Sequence, residues 1–235
     1  MNLVLLIASV AVTGDPADDD AIEKSRYVRP SAKAFLFECE VTVKKFKSGS
    51  TVESVTERGK LKLTVASRYD ERDHLTAADA ILENDGKKMT ATVTTTDRKA
   101  RVQREGKDAQ EFEVRSGVIV TSAPDWTDAI LMCRRYDVKA GGKQSFPGLW
   151  IHPEQPSQSL TFTIEKDGEE SIDHAVEKLK LSRFTIGLRG NSRYAAWADT
   201  GGRMIKLVPL PYKENASNWI VREGYEKSAA NLWPR

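Results

Sequence analysis

Most of this chain consists of short segments in which apolar and polar residues alternate. In residues 35–44, the clearest segment, one parity is wholly apolar and the other is mostly polar. Such alternation is typical of a β-strand with one buried face. The pattern recurs at 61–65, 89–93, 100–102 and 112–114, and the apolar run 118–120 continues the series of strands. Turns such as Asn84-Asp85-Gly86 are too short for the crossover that parallel strands need, so we predict an antiparallel meander.

One segment has a helical period instead of alternation. Its apolar residues recur at spacings of three and four: Trp126, Ala129, Ile130, Cys133 and Tyr136. We predict a helix over about 124–136, with Ser122 as its N-cap. So short a helix must bury its apolar stripe against a sheet. The predicted fold is therefore mainly β, an antiparallel sheet with one short α-helix packed on its concave face.

The strands resume after the helix, at 149–151 and 160–164, and Asp167-Gly168 is expected to end the second of these. In 179–188 the apolar residues change parity, which predicts an interruption or bulge near Ser182 and Arg183. Thr200-Gly201-Gly202 predicts a hairpin. The aromatic residues beyond it are expected to dock as a closing strand and tail. All-β chains of this length often form one domain, so 31–235 is predicted to be a single unit.

The N-terminal region predicts export. Leu3–Val12 is an apolar run of signal-peptide length, too short to span a bilayer, and small residues suit cleavage after Ala11 or Gly14. We therefore assign 1–14 to a signal peptide and 15–30 to an acidic linker, and expect a periplasmic or extracellular protein. The alternative is that this run forms a first strand. No other long apolar run follows, so no transmembrane span is expected in the mature chain.

Charge and cysteine content exclude several partners and cofactors. A net charge of +2 gives no field to attract nucleic acid. Cys39 and Cys133, the two cysteines of the chain, are candidates for a disulfide or for two buried thiols. They cannot build a cysteine metal cluster, and His74, His152 and His174 lack the spacing of a zinc site, so we expect no metal and no cofactor.

The usual signatures of enzymes are missing from the sequence. No Gly-x-Ser-x-Gly elbow and no phosphate-binding glycine-rich loop occurs. Both cysteines lie on apolar stripes, where burial makes a thiol inert. Glu38 and Glu40 fall on the outward parity of their strand and are expected to be solvated, which does not suit acid–base chemistry. We therefore predict no catalytic residue and a non-enzymatic protein.

The late hairpin Trp197-Ala-Asp199-Thr-Gly-Gly202-Arg203-Met-Ile-Lys206-Leu207 resembles that of periplasmic lipoprotein-carrier-like proteins and related envelope families. The resemblance covers roughly residues 110–210, in the order helix, strands, hairpin. The resemblance implies a strongly curved antiparallel sheet (a half-barrel or open barrel) wrapped around one short α-helix, with a concave apolar face that receives acyl chains.

Two functions remain open. In the first, the protein binds a lipid or other apolar small molecule in the concave face. Its pocket candidates are Phe35, Phe37, Val41, Leu61, Leu63, Trp126, Ile130, Trp150, Phe162 and Trp197. In the second, these side chains fill the interior, and the protein is a non-catalytic structural or interaction module that engages another envelope protein. The sequence does not decide between a bordered pocket and a filled core.

Overall fold

The computed structural model describes residues 21–31, 34–122, 126–188, 192–211 and 219–234. Within these residues the chain forms fifteen strands and one helix, and all the strands join one open, curved sheet. The prediction of a mainly β, antiparallel fold is confirmed. The predicted signal peptide lies outside the described residues. The predicted linker was wrong in its second half, because residues 21–30 form the first strand.

The first eight strands are an antiparallel meander, as predicted. They are β1 (Ala21–Pro30), β2 (Phe35–Phe46), β3 (Gly49–Arg58), β4 (Leu61–Asp70), β5 (Leu75–Asn84), β6 (Lys87–Thr96), β7 (Lys99–Arg104) and β8 (Gln110–Glu113). The turn after β5 has positive φ at Asp85 and Gly86, as expected for a tight hairpin.

The second half begins with β9 (Ile119–Thr121) and the helix α1 (Thr127–Arg135). Its further strands are β10 (Lys143–Trp150), β11 (Gln158–His174), β12 (Glu177–Gly187), β13 (Arg193–Ala198), β14 (Met204–Leu210) and β15 (Ile220–Arg222). β9 pairs in parallel with β10, and the other pairings are antiparallel. The short β15 pairs with both β1 and β14, so it joins the two halves into one sheet. The C-terminal stretch thus contains a strand, as predicted, but this strand lies in the middle of the sheet and does not close it.

Most of the helix is buried. Its residues from Thr127 to Cys133 are all buried, and it contacts β9, β11 and β14. The predicted Ser122 cap was wrong, because Trp126 occupies the N-cap position, and the Trp126 side chain makes no capping hydrogen bond. Asp128 lies in the first turn and Arg134 and Arg135 in the last, the arrangement that the helix dipole favours.

Two apolar clusters pack on opposite faces of the sheet. The inner cluster combines α1 with residues of both halves, such as Val41 and Phe162. The outer cluster packs the C-terminal segment, including Ala229 and Leu232, against β12–β14. Because one cluster spans both halves on the inner face, the second cluster adds a layer to the same sheet and does not form a separate unit.

The two clusters explain the change of parity in β12. Leu181 faces the outer cluster, whereas Phe184 and Ile186 face the inner cluster, so ordinary alternation continues through Ser182. The predicted interruption of this strand was therefore wrong. The irregularity lies on β11, where the register shifts between Lys166 and Gly168. Asp167-Gly168 forms this bulge and does not end the strand, which continues to His174.

Candidate functional site

The structure separates the ten predicted pocket residues into four groups. Val41, Leu63, Ile130 and Phe162 are at most 1% exposed and belong to the inner cluster. Leu61 and Trp126 are half-buried at its margin. Phe35, Phe37 and Trp197 lie on the outer face, and Trp150 stacks on His152 with ring centroids 5.6 Å apart. The predicted residues therefore do not share one pocket.

A β-bulge explains the misplaced phenylalanines. Tyr27 pairs with Cys39 but Val28 pairs with Phe37, which leaves Glu38 as the extra residue of β2. Because one inserted residue reverses the facing of all residues before it, Phe35 and Phe37 turn outward. Phe35 is 42% exposed and contacts Trp219, and Phe37 lies under the Arg26 guanidinium. The prediction that both face the interior with Val41 was wrong.

The same bulge turns Glu38 inward, so its predicted solvation was also wrong. Its side chain is 0% exposed and forms ion pairs with Arg58 and, at 3.0 Å between Oε2 and Nε, with Arg29. The Nε1–H of Trp126 donates to Glu38 Oε1 over 3.4 Å. A carboxylate can be buried when it is paired in this way. Burial, and then the charge of Arg29, lowers the pKa of Arg58.

Glu38 lies at one end of the inner face, where α1 begins. Half-buried apolar side chains surround the filled interior at this end, and Trp126 contacts Tyr194 edge-on at 5.5 Å between centroids. Because Trp126 touches Glu38 of β2 and Tyr194 of β13, it connects the two halves of the sheet. We call this group the mouth: Arg29, Glu38, Arg58, Leu61, Met89, Trp126, Leu160 and Tyr194.

Sequence reasoning identified Leu61 and Trp126 of the mouth but missed its charged centre. Arg58 pairs with Leu61 across the β3–β4 hairpin, and paired residues share a face. The inward orientation of Arg58 could therefore be predicted once the β3–β4 hairpin was assigned. No comparable sequence pattern indicates that Glu38 faces inward, because the bulge depends on the pairing of β1 with β2.

The opposite end of the inner face, where α1 ends, carries a charged cleft of about 370 Å³. Its walls include Val43, Val52 and Leu131. Its main charges are paired, since Arg134 Nη2 lies 2.8 Å from Glu23 Oε1 and Arg135 Nη2 lies 3.0 Å from Asp73 Oδ1. This cleft is an ion-paired seam between the helix end and the sheet.

Two further clefts are polar. One of about 560 Å³ lies among β10–β13 and is lined by threonines such as Thr163 and Thr185. The other, about 770 Å³, lies beside His74, Arg98 and Arg115. None of these three clefts is lined by a predicted pocket residue.

The two cysteines are buried thiols in the structure and do not form a disulfide. Both belong to the inner cluster. Tyr27 pairs with Cys39, and its hydroxyl donates to the Met204 carbonyl over 3.1 Å. Burial raises the pKa of the Cys133 thiol to about 12 and also raises the pKa of Tyr27. These groups are therefore protonated at neutral pH, as expected of core residues.

Lys206 is a buried cation on the outer face. Its Nζ donates to the carbonyls of Ala229 and Leu232 over 3.0 and 2.7 Å. It also lies 3.6 Å from the ring centroid of Trp233 and 4.5 Å from that of Trp219. Burial lowers its pKa from 10.5 to about 7. The C-terminal segment thus encloses an ammonium group within hydrogen-bond acceptors and aromatic faces.

These features define a protein built on a large, open, curved antiparallel sheet. Among solved structures, the chain is similar to a β-barrel-like protein of a domain of unknown function, DUF1849, from Brucella abortus, with 8% identity. That match has a TM-score of 0.50 and covers 86% of this chain and 94% of the other, and it supports the fold alone.

A DUF1089 family protein from Pseudomonas aeruginosa is also similar, with 16% identity, a TM-score of 0.46 and coverage of 75% of this chain and 92% of that one. No family model and no curated protein sequence matches the chain. The resemblance to lipoprotein carriers therefore has no support from a family or sequence match. Among the described residues, no helix is long and apolar enough to cross a membrane.

Proposed function

We propose that this chain is an exported, non-enzymatic protein of the cell envelope that binds an amphipathic or apolar ligand at the mouth. The observation that carries this proposal is the contrast between a filled interior and a half-buried apolar margin. Leu61, Met89, Trp126, Leu160 and Tyr194 pack on the inner cluster yet retain exposed surface. Exposed apolar groups gathered at one end of a sheet are typical of a ligand-binding surface.

In this proposal the sheet curves around α1, as the resemblance to lipoprotein-carrier-like proteins implies. The ligand, however, binds at the mouth and not inside the filled core. Full burial of Val41, Leu63 and Phe162 leaves the concave interior occupied by the protein's own side chains. A chain that buried about six methylene groups on the mouth would gain roughly 5 kcal/mol before the costs of association. Such binding would be reversible, as transfer between membranes requires.

The test uses the neutral fluorescent probe N-phenyl-1-naphthylamine and the full chain. We expect Trp126→Ala to weaken binding about fivefold, because it removes an aromatic contact worth about 1 kcal/mol. Phe37→Ala is the matched control, since Phe37 is an aromatic residue of the outer face. Absence of probe binding, or equal effects of both substitutions, would contradict the proposal. Mass spectrometry of gently purified protein adds a check for bound lipid.

Export is the second element of the proposal and rests on the apolar run Leu3–Val12. Expressed in a bacterium with two membranes, the full chain should be recovered by osmotic shock, with an intact mass lacking the residues before Val12 or Asp15. Retention of Met1 in a cytoplasmic fraction would refute it. Deletion of residues 3–12 is the control and should abolish recovery in the shock fluid.

An interaction module is the alternative, favoured by the filled inner cluster. Beyond Glu165, the β11–β12 hairpin loses its pairing with β10 and forms a ribbon whose tip residue Val176 is 98% exposed. If the ribbon engages an envelope protein, a photo-cross-linker at position 176 should give one discrete adduct in cells. The control is position 138, where Val138 is 64% exposed. Adducts from both positions, or from neither, would remove this alternative.

A further inference from the structure

The mouth carries more positive than negative charge. The carboxylate of Glu38 is 0% exposed, whereas the paired side chains of Arg29 and Arg58 remain 36% and 41% exposed. One carboxylate therefore faces two guanidinium groups, and both cations reach the solvent. Because a guanidinium has five N–H donors, neither arginine is saturated by a shared carboxylate that also accepts from Trp126.

A third arginine lies at the same end of the inner face. Arg104 pairs with Ala91, a fully buried residue of the inner cluster, so its side chain shares the inner face. Arg104 is only 9% exposed. Among the described residues its side chain makes no ion pair and no hydrogen bond, and none of its nitrogens is fully buried, so the guanidinium keeps contact with solvent and is open to a ligand.

The three arginines have different relations to carboxylates. Arg29 and Arg58 share one, and Arg104 has none among the described residues. Elsewhere on the same sheet, Arg68 has its own carboxylate in Asp79, at 3.3 Å between Nη1 and Oδ2. Three arginines and one carboxylate at this end of the inner face leave an excess of about two positive charges. An oxyanion would supply the acceptors that the protein does not provide.

We propose that Arg29 and Arg58 of the mouth, together with Arg104 at the same end of the inner face, recognise the anionic head group of an amphiphile, a carboxylate or phosphate. This inference rests on the proposed function, since the apolar margin must hold the attached tail. The arginine fork binds both oxyanions by paired hydrogen bonds, so the same geometry serves a fatty acid and a phospholipid. A phosphate can accept hydrogen bonds from more donors than a carboxylate can, and a competition experiment distinguishes the two ligands.

The experiment compares 11-(dansylamino)undecanoic acid with its methyl ester, which has the same tail and no charge. The full chain should bind the acid at least tenfold more tightly than the ester. Arg104→Gln should weaken acid binding about fivefold to tenfold and leave ester binding unchanged. Because Arg104 has no acidic partner in the described structure, this variant leaves no buried carboxylate behind. Arg68→Gln is the matched control and should leave both affinities unchanged.

Arg58→Gln should also lower the preference for the acid, and Arg104→Gln keeps the test decisive if the Arg58 variant fails to fold. Competition by dodecyl phosphate against dodecanoate then assigns the preferred oxyanion. Equal binding of acid and ester by the unmodified chain, with no effect of Arg104→Gln, would overturn this inference while leaving the proposed function intact. Absence of binding by either probe would instead refute the proposed function.

Discussion

Lys206 links folding stability to pH in a direction that can be measured. Its ammonium group is 0% exposed beneath the C-terminal segment, and burial lowers its pKa from 10.5 to about 7. Between these values the unfolded chain holds the proton that the folded chain has released. Stability rises with pH wherever the unfolded state binds more protons, so this lysine should make the fold more stable as pH increases from 7 to 10.5.

The slope is at most about 1.4 kcal/mol per pH unit, which amounts to about 2 kcal/mol between pH 7.5 and pH 9. About 2 kcal/mol is an upper limit. The carbonyls of Ala229 and Leu232 and the faces of Trp219 and Trp233 favour the charged form of Lys206 and so oppose the effect of burial on its pKa. Lys206→Met retains the aliphatic stem and removes the titrating group, so the variant should lack this increase in stability.

The assay is urea unfolding followed by tryptophan fluorescence at pH 7.5 and pH 9, for the unmodified chain and for Lys206→Met. The difference in unfolding free energy between the two proteins should shift by up to 2 kcal/mol in favour of the unmodified chain at the higher pH. Lys60→Met, at a lysine that is 79% exposed, is the control and should show no comparable shift. A constant difference, or one that falls with pH, would show that the carbonyls and aromatic rings outweigh burial.

Two shorter predictions address the helix and the core. Gly202→Ala should destabilise the fold by about 2–4 kcal/mol in thermal unfolding, because φ is +73° and a Cβ would lie 2.8 Å from the Cys133 carbonyl oxygen. Gly86→Ala, with φ of +77° and open space around it, should cost only about 1 kcal/mol, and equal losses would refute the contact. The raised pKa of Cys133 predicts that iodoacetamide at pH 8 modifies it roughly a thousandfold more slowly in the native protein than in urea, and rapid native labelling by mass spectrometry would contradict its burial.

Local pattern was sufficient for much of the fold. The strands of the meander and their antiparallel pairing follow from period-two alternation and short turns, because neighbouring segments in the chain are also neighbours in the sheet. The helix was recognisable because its apolar stripe changes the period from two to 3.6. These features depend on residues that are close together in sequence, so they could be predicted from the sequence.

The incorrect predictions concern residues whose orientation, toward the inner or the outer face of the sheet, depends on a partner distant in sequence. Trp197 and Leu181 have the spacing of core residues, but a second cluster on the outer face, completed by the C-terminal segment, receives them. Alternation identifies two faces of a strand and does not say what covers each face. Lys206 illustrates the same point, since a lysine within a strand reads as solvated until Ala229 and Leu232 are placed over it.

The sequence by itself determined the strands, the order of the meander and the single amphipathic helix, because hydrophobic periodicity and turn residues act over a few positions. The tertiary structure alone decided that Glu38 is buried between two arginines and that the half-buried apolar margin forms at the start of α1. One bulged residue reverses a strand's facing, and whether it forms depends on the pairing of β1 with β2. The candidate site therefore depends on the register of strand pairing, which the alternation of apolar and polar residues does not determine.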